Sequence, residues 1–89
     1  MEYNYPMDET WTKDEIIDVV NFFALIERAY EEKVKRDELL SMYRLFKQIV
    51  PSKAEEKTMF ADFQDNSGYS AYHVIKKAKE SQEAVISMK

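Results

Sequence analysis

Residues 16–30, IIDVVNFFALIERAY, decide the fold because nearly every position in this stretch is apolar. At about 100° per residue, an α-helix over the stretch keeps only one narrow polar stripe, and Glu27 lies alone on the opposite, apolar side. The stripe consists of Asp14, Asp18, Asn21 and Arg28. A surface helix needs an apolar face only about 100° wide. We therefore expect other helices, or a second copy of the chain, to cover most of this one.

The composition of the whole chain favours an all-α domain. Of its 89 residues, 45% are hydrophobic and 34% charged, with one glycine and two prolines. A β-sandwich or a disordered tail would carry more turn residues. We expect a single helical domain over residues 1–89, with four helices in an irregular array or compact bundle and a short aromatic N-terminal arm.

Caps and apolar periodicity place the helices at about 13–32, 36–50, 53–66 and 71–86. Thr12 and Glu15 form a capping box for the first helix, and Ser52 and Ser70 are N-caps for the third and fourth. Gly68 can adopt the left-handed conformation that ends the third helix. The second helix follows a short connector at residues 34–35 and lacks a Ser, Thr, Asp or Asn cap. The fourth has an apolar edge that Val85 and Met88 would continue.

The N-terminal arm carries an unusual density of aromatic side chains for its length. We expect these side chains to cap the helical core, and the alternative is an aromatic patch that faces a partner. The aromatic residues are Tyr3, Tyr5 and Trp11, and the arm also carries Pro6 and Met7.

Charge and cysteine content narrow the class of protein. The net charge of −4 and a pI near 5.0 disfavour general binding to nucleic acid or anionic lipid. The absence of cysteine removes disulfides, thiolate metal sites and thiol catalysis, which favours a cytoplasmic location. Residues 1–6 show neither the basic nor the apolar region of an export signal, and no apolar run approaches the roughly 20 residues that span a bilayer, so we expect no export. We expect no membrane anchoring.

The residues offer little for catalysis or for metal and cofactor binding. His73 is the only histidine, so no His pair can form a metal site. An EF-hand loop with Gly68 in sixth place would begin at Phe63 and end at Val74, neither of which is a carboxylate ligand. One glycine cannot supply a phosphate-binding loop. We expect no catalytic residue, no cofactor and no metal, and hence a protein that is not an enzyme.

The fourth helix carries the closest approach to a basic, aromatic patch. One hypothesis is a partner-contact surface, and another is a nucleic-acid site, to which the net charge is opposed. The third is a solvated helix face, with Glu80 placed i,i+4 from Lys76. Tyr72, Lys76 and Lys79 share one side of this helix. The candidate residues are Tyr69, Tyr72, His73, Lys76, Lys77 and Lys79.

The first helix motivates a prediction of homodimerisation. A buried, unpaired carboxylate at Glu27 would cost several kcal/mol, so this residue should lie at the edge of an interface or pair with a cation. The excess apolar surface of the helix would then face a second copy. The candidate interface residues are Ile16, Val20, Phe23 and Glu27.

Several short segments together resemble a family of about ninety-residue uncharacterised proteins from low-GC Gram-positive bacteria, which has no assigned function. They are residues 5–8 (YPMD), Trp11, residues 51–57 (PSKAEEK), residues 67–70 (SGYS) and residues 76–79 (KKAK). The resemblance implies four helices in an irregular array and a dimer, and it assigns no functional residue.

The leading hypothesis is a small cytoplasmic, non-enzymatic protein–protein interaction module that acts as a homodimer and contacts an unidentified protein. The alternative is a nucleic-acid-binding accessory protein that uses the fourth helix.

Overall fold

The computed structural model describes residues 9–89, in which four helices form the frame. They are α1 (Lys13–Glu31), α2 (Arg36–Ile49), α3 (Lys53–Ser67) and α4 (Ala71–Glu80). Two short strands, β1 (Val34–Lys35) and β2 (Val85–Ile86), pair antiparallel with Val34 opposite Ile86 and Lys35 opposite Val85. The prediction of an all-α fold with four helices is confirmed, and the strand pair is a small addition to it.

The predicted caps set the boundaries of three helices. The Glu15 N–H donates to Thr12 Oγ1 at 3.2 Å, and the Thr12 N–H donates to Glu15 Oε1 at 2.8 Å. The side chains of Ser52 and Ser70 accept from backbone N–H groups in the first turns of α3 and α4. Gly68 ends α3 with φ at 80°, a conformation that residues with a Cβ seldom adopt. Local chemistry therefore fixes most helix ends.

Phenylalanine side chains from three helices make the centre of the core. Phe22 and Phe23 of α1 are fully buried. The Phe22 ring stacks on the Phe46 ring of α2 with centroids 4.8 Å apart. The centroid of the Phe23 ring lies 4.6 Å from that of Phe63 in α3. Each phenylalanine removes about 150–250 Å² from water. These contacts confirm that other helices of the same chain cover this side of α1.

Within residues 9–89, one stripe of α1 remains partly uncovered by the other elements. Ile17 is 46% exposed, Val20 is half-buried and Ala24 is exposed. Their spacing of i, i+3 and i+7 places them on one line along the helix. Trp11, just before α1, is half-buried and packs against the core. The other aromatic-arm residues, Tyr3, Tyr5, Pro6 and Met7, lie outside the described residues.

The fourth helix is shorter than the sequence predicts, since it ends at Glu80 and not at residue 86. Ser81 has extended φ and ψ angles, and its Oγ accepts from the Glu83 N–H at 3.0 Å, which turns the chain away from the helix axis. The following strand alternates, with Val85 exposed and Ile86 buried. The prediction that the apolar edge of the fourth helix continues to Val85 is therefore wrong. Side chains alternate between the two sides of a strand, so β2 buries Ile86 and exposes Val85.

The last residues complete the start of α2, which has no side-chain cap, as predicted. The Arg36 N–H donates to the carbonyl of Ala84 at 2.8 Å, and Arg36 Nε donates to the carbonyl of Ala78 at 2.6 Å. Further along, the Met88 N–H donates to the Ala29 carbonyl at 2.8 Å. Residues 34–35 are thus a strand and not a simple connector, because the C-terminal segment supplies the partner for helix-end groups that lack a cap.

Candidate functional site

Helix α4 is held against α1 by a reciprocal pair of hydrogen bonds. The Tyr30 hydroxyl donates to the Ser70 carbonyl at 3.3 Å and accepts from the Ser70 N–H at 3.1 Å. Ala71, Val74 and other small apolar residues of α4 are buried in the core. This orientation leaves Tyr72 at the surface, 59% exposed.

A groove of about 660 Å³ opens beside Tyr72, between α3 and α4, and Tyr43 of α2 also lines it. Its most buried lining residues are Phe60 and Ile75, which are 8% and 5% exposed. Apolar and aromatic surface therefore forms the base of the groove. The remaining lining residues are polar, charged or small: Lys53, Glu56, Lys57, Ala61, Gln64, Lys76, Lys79 and Glu80.

The groove is basic although the chain as a whole is acidic. Four lysines and two glutamates line it, a balance of +2, whereas the chain carries −4. Within residues 9–89, none of the four lysines forms an ion pair with a carboxylate. The lysines are Lys53, Lys57, Lys76 and Lys79. The groove therefore presents positive charge that is not paired with any carboxylate of residues 9–89.

A hydrogen-bonded network stabilises the α2 side of the groove. Glu56 accepts from the Tyr43 hydroxyl at 2.7 Å through one carboxylate oxygen and from Lys47 Nζ at 2.6 Å through the other. Lys79 Nζ lies 5.0 Å from the centroid of the Tyr43 ring, within the range of a cation–π contact. Burial, with the hydrogen bond to Glu56 and its negative charge, raises the pKa of the Tyr43 phenol well above its usual value.

The six candidate partner-contact residues do not form a single surface. Tyr72, Lys76 and Lys79 line the groove together. Tyr69, by contrast, stacks on Tyr30 with centroids 4.6 Å apart, and its hydroxyl donates to Glu31 Oε2 at 2.9 Å. Tyr69 therefore lies outside the groove, because it precedes α4 and packs against α1.

His73 and Lys77 face a different depression, of about 460 Å³, which Lys76 also borders. His73 Nδ1 lies 2.7 Å from Ser70 Oγ, within the N-cap of its own helix. Lys77 Nζ donates to the Ser87 carbonyl. These two side chains contact the N-cap of α4 and the C-terminal segment, so of the predicted patch the groove contains Tyr72, Lys76 and Lys79.

The candidate dimer residues are also separated by the fold. Phe23 is fully buried, so it cannot be part of a surface, and its assignment to a dimer interface is wrong. Ile16, Val20 and Glu27 are half-buried. The large apolar side chain exposed on this helix is Ile17, one residue away from the predicted line.

The groove includes residues of α2 and α3 that the sequence analysis did not select. Lys53, Lys57, Phe60 and Gln64 of α3 follow i, i+4, i+7 and i+11 spacing, which places them on one helix face. That periodicity was a usable signal. The sequence carries no such signal for Tyr43, because its position at the groove depends on how α2 packs against the other two helices.

Two further observations concern membranes and metals. Among the helices of residues 9–89, none has both the length and the apolar content that a membrane span requires. The same residues contain no group of three or more His, Cys, Asp or Glu side chains placed to hold a metal ion.

The sequence matches the model of the uncharacterised protein family UPF0223 over residues 2–87. The UPF0223 protein of Oceanobacillus iheyensis is 66% identical over 88 residues, which cover 99% of this chain and all of the relative. The UPF0223 protein YktA of Bacillus subtilis is 52% identical, with the same coverage of both chains. The predicted resemblance is confirmed by these matches, and the chain belongs to the uncharacterised protein family UPF0223.

Proposed function

We propose that the protein is a small cytoplasmic, non-enzymatic interaction module that binds a protein partner through the groove between α3 and α4. The observation that carries this proposal is the combination of Tyr72, which is 59% exposed, with a nearly buried apolar base formed by Phe60 and Ile75. Exposed aromatic side chains beside a hydrophobic depression are typical of the anchor points of protein interfaces.

The chemistry of the groove supports binding over catalysis. Within the groove, the Tyr43 hydroxyl donates a hydrogen bond to Glu56. Because the pKa of the Tyr43 phenol is raised, the hydroxyl stays protonated at neutral pH and is a poor nucleophile. Glu56 is bonded to both Tyr43 and Lys47, so it has little freedom to act as a general base. The network is suited to holding α2 and α3 in fixed positions.

The second part of the proposal is a homodimer formed through α1. The apolar stripe of Ile17, Val20 and Ala24 supports it, because this part of the helix surface is left uncovered by the described chain. Such a stripe can be self-complementary across a twofold axis. The stripe shares Val20 with the interface predicted from the sequence.

A capture experiment tests the groove as the contact surface. Immobilised wild-type protein, Tyr72→Ala with Lys76→Glu, and the control Lys13→Glu are exposed to extracts of Bacillus subtilis, whose YktA is a relative. A captured protein is purified and its dissociation constant is measured with each variant. We expect at least a tenfold loss for the groove variant and less than a twofold change for the control, since Lys13 is exposed and lies outside the groove. Equal affinity for all three proteins contradicts the proposal.

Light scattering over a dilution series tests the homodimer. We expect a mass near twice the 10.6 kDa of one chain, and a shift to the monomer for Ile17→Glu. Phe23→Glu is unsuitable because Phe23 is buried and a charge there would unfold the chain. A wild-type mass of 10.6 kDa at tens of micromolar removes the dimer and leaves the groove untouched.

A further inference from the structure

We infer that the partner segment bound by the groove is an acidic peptide with one bulky apolar side chain. This inference rests on the proposed function and specifies the chemistry of its partner. Three observations support it: the lysines around the groove form no ion pair within the described part of the chain, the base of the groove is apolar, and the space between α3 and α4 is small.

Charge complementarity is the first argument. The two walls each contribute two lysines, Lys53 and Lys57 from α3 and Lys76 and Lys79 from α4. The carboxylate of Glu56 is already bonded to Lys47 and Tyr43, so it does not compensate the charge of these walls. Glu80, on α4, is the remaining acidic residue of the lining. An approaching carboxylate therefore meets more ammonium groups than carboxylates that could repel it.

The apolar base is the second argument. Phe60 and Ile75 retain a small exposed area at the bottom of the groove, and the ring of Tyr72 stands beside it. A phenylalanine or leucine side chain from the partner would cover this area and the face of Tyr72 at once. Acidic residues on either side of that anchor would then reach the lysines of both walls.

The size of the groove limits the partner to a short segment. A volume of about 660 Å³ lies within the roughly 300–1,000 Å³ of small-ligand sites. It accommodates a few side chains and is too small for a folded domain. Because exposed ion pairs each contribute little, we expect the anchor to supply much of the affinity and the charges to supply selectivity.

A peptide fits these features better than a nucleic acid does. A nucleic acid carries a phosphate at every nucleotide and extends far beyond the groove, over a chain whose net charge is −4. Of the basic residues first assigned to a patch, Lys77 points to the C-terminal segment and does not line the groove. The positive surface is local, which suits a segment with a few carboxylates.

The inference can be tested with three fluorescent heptapeptides in a polarisation assay. The probe DEDFEDE has acidic residues on both sides of a phenylalanine. NQNFQNQ keeps the phenylalanine but removes the charge, and DEDAEDE keeps the charge but removes the anchor. We expect DEDFEDE to bind at least tenfold more tightly than either control, and raising NaCl from 50 to 300 mM to weaken it at least threefold because salt screens exposed charges.

Two variants and a matched control assign the binding to the groove. Lys76→Glu should weaken the binding of DEDFEDE at least fivefold. Tyr72→Ala should reduce the ratio by which DEDFEDE binds more tightly than DEDAEDE. Lys13→Glu makes the same change of charge at an exposed position outside the groove and should alter affinity less than twofold. Both groove positions are exposed, so circular dichroism should show the variants folded.

The outcomes separate this inference from the proposed function. If NQNFQNQ and DEDFEDE bind equally well, or if neither binds, the inference of an acidic peptide is overturned. The capture experiment with native partners still decides the proposed function. An eight-nucleotide oligothymidine that binds more tightly than DEDFEDE, and loses affinity in Lys76→Glu, also overturns it in favour of a nucleic-acid ligand. Loss of DEDFEDE affinity in Lys13→Glu equal to that in Lys76→Glu overturns the assignment to the groove.

Discussion

Replacing Ile86 by alanine is expected to destabilise the fold far more than replacing its neighbour Val85. In the structure, Ile86 is 1% exposed and Val85 is 39% exposed, because β2 presents alternate side chains to the core and to solvent. A fourth helix that continued to residue 86 would instead have used Val85 for its apolar edge. The two substitutions therefore test the strand directly.

The expected magnitudes follow from the area that each side chain buries. Ile86→Ala removes three carbons, a loss of about 2.4 kcal/mol at about 0.8 kcal/mol per buried methylene, and the cavity brings the total to about 3 kcal/mol. Val85→Ala removes two carbons from a partly exposed side chain, so about 1 kcal/mol is the upper expectation. A chain of this length has about 4–13 kcal/mol of stability. The loss at Ile86 is a large part of it.

Urea unfolding followed by circular dichroism measures both effects. For m near 1.5 kcal/mol/M, the midpoint should fall by about 2 M for Ile86→Ala and by well under 1 M for Val85→Ala. Hydrogen exchange gives a second measurement, because the Arg36 N–H bonded to Ala84 should be protected in the wild type and lose protection in Ile86→Ala under native conditions. The assignment of β2 as a strand would be refuted if Val85→Ala lowered the free energy of unfolding as much as Ile86→Ala does and the Arg36 amide of the wild type were unprotected.

Three further substitutions test other parts of the structure. Gly68→Ala should cost about 1 kcal/mol in urea unfolding because φ is 80° there, and an equally stable variant would contradict the left-handed helix end. Tyr43→Phe should cost about 1–2 kcal/mol at pH 7 by removing the hydrogen bond to Glu56. Because the pKa of Tyr43 is raised in the folded state, the stability that its hydroxyl contributes is complete below about pH 10 and is lost as pH rises further. The stability gap between Tyr43→Phe and the wild type should therefore narrow above about pH 10. A constant gap would argue against the raised pKa. Arg36→Met should cost about 1 kcal/mol by removing the donor to the Ala78 carbonyl, and no change in the thermal midpoint would mean that this contact is not formed in solution.

The candidate site was only partly accessible from the sequence. The helical spacing of Tyr72, Lys76 and Lys79 predicted their common face, and all three line the groove. Tyr69 and Lys77 were grouped with them because they are close in sequence. The fold separates them, since Tyr69 packs on Tyr30 and Lys77 bonds to the C-terminal segment. Side chains near a helix end are directed by whichever neighbour the tertiary structure supplies.

The helices and most of their ends can be predicted from the amino-acid sequence, because they depend on contacts within a few residues. Thr12 and Glu15 bond across three residues, Ser70 caps its own helix, and Gly68 supplies a backbone angle that is local to it. The apolar excess of residues 16–30 likewise predicted that neighbours would cover α1. Each of these features depends on residues that are close together in the sequence.

The tertiary structure alone decided which surfaces remain free and where the last helix stops. Phe23 is in the core and Ile17 is at the surface, a difference that depends on where α2 and α3 pack. The chain leaves α4 at Glu80 because residues 85–86 pair with a strand some fifty positions earlier and Ala84 completes the uncapped start of α2. Such long-range pairing leaves no periodic signal in two-residue strands, so it becomes visible only when the helices have been packed.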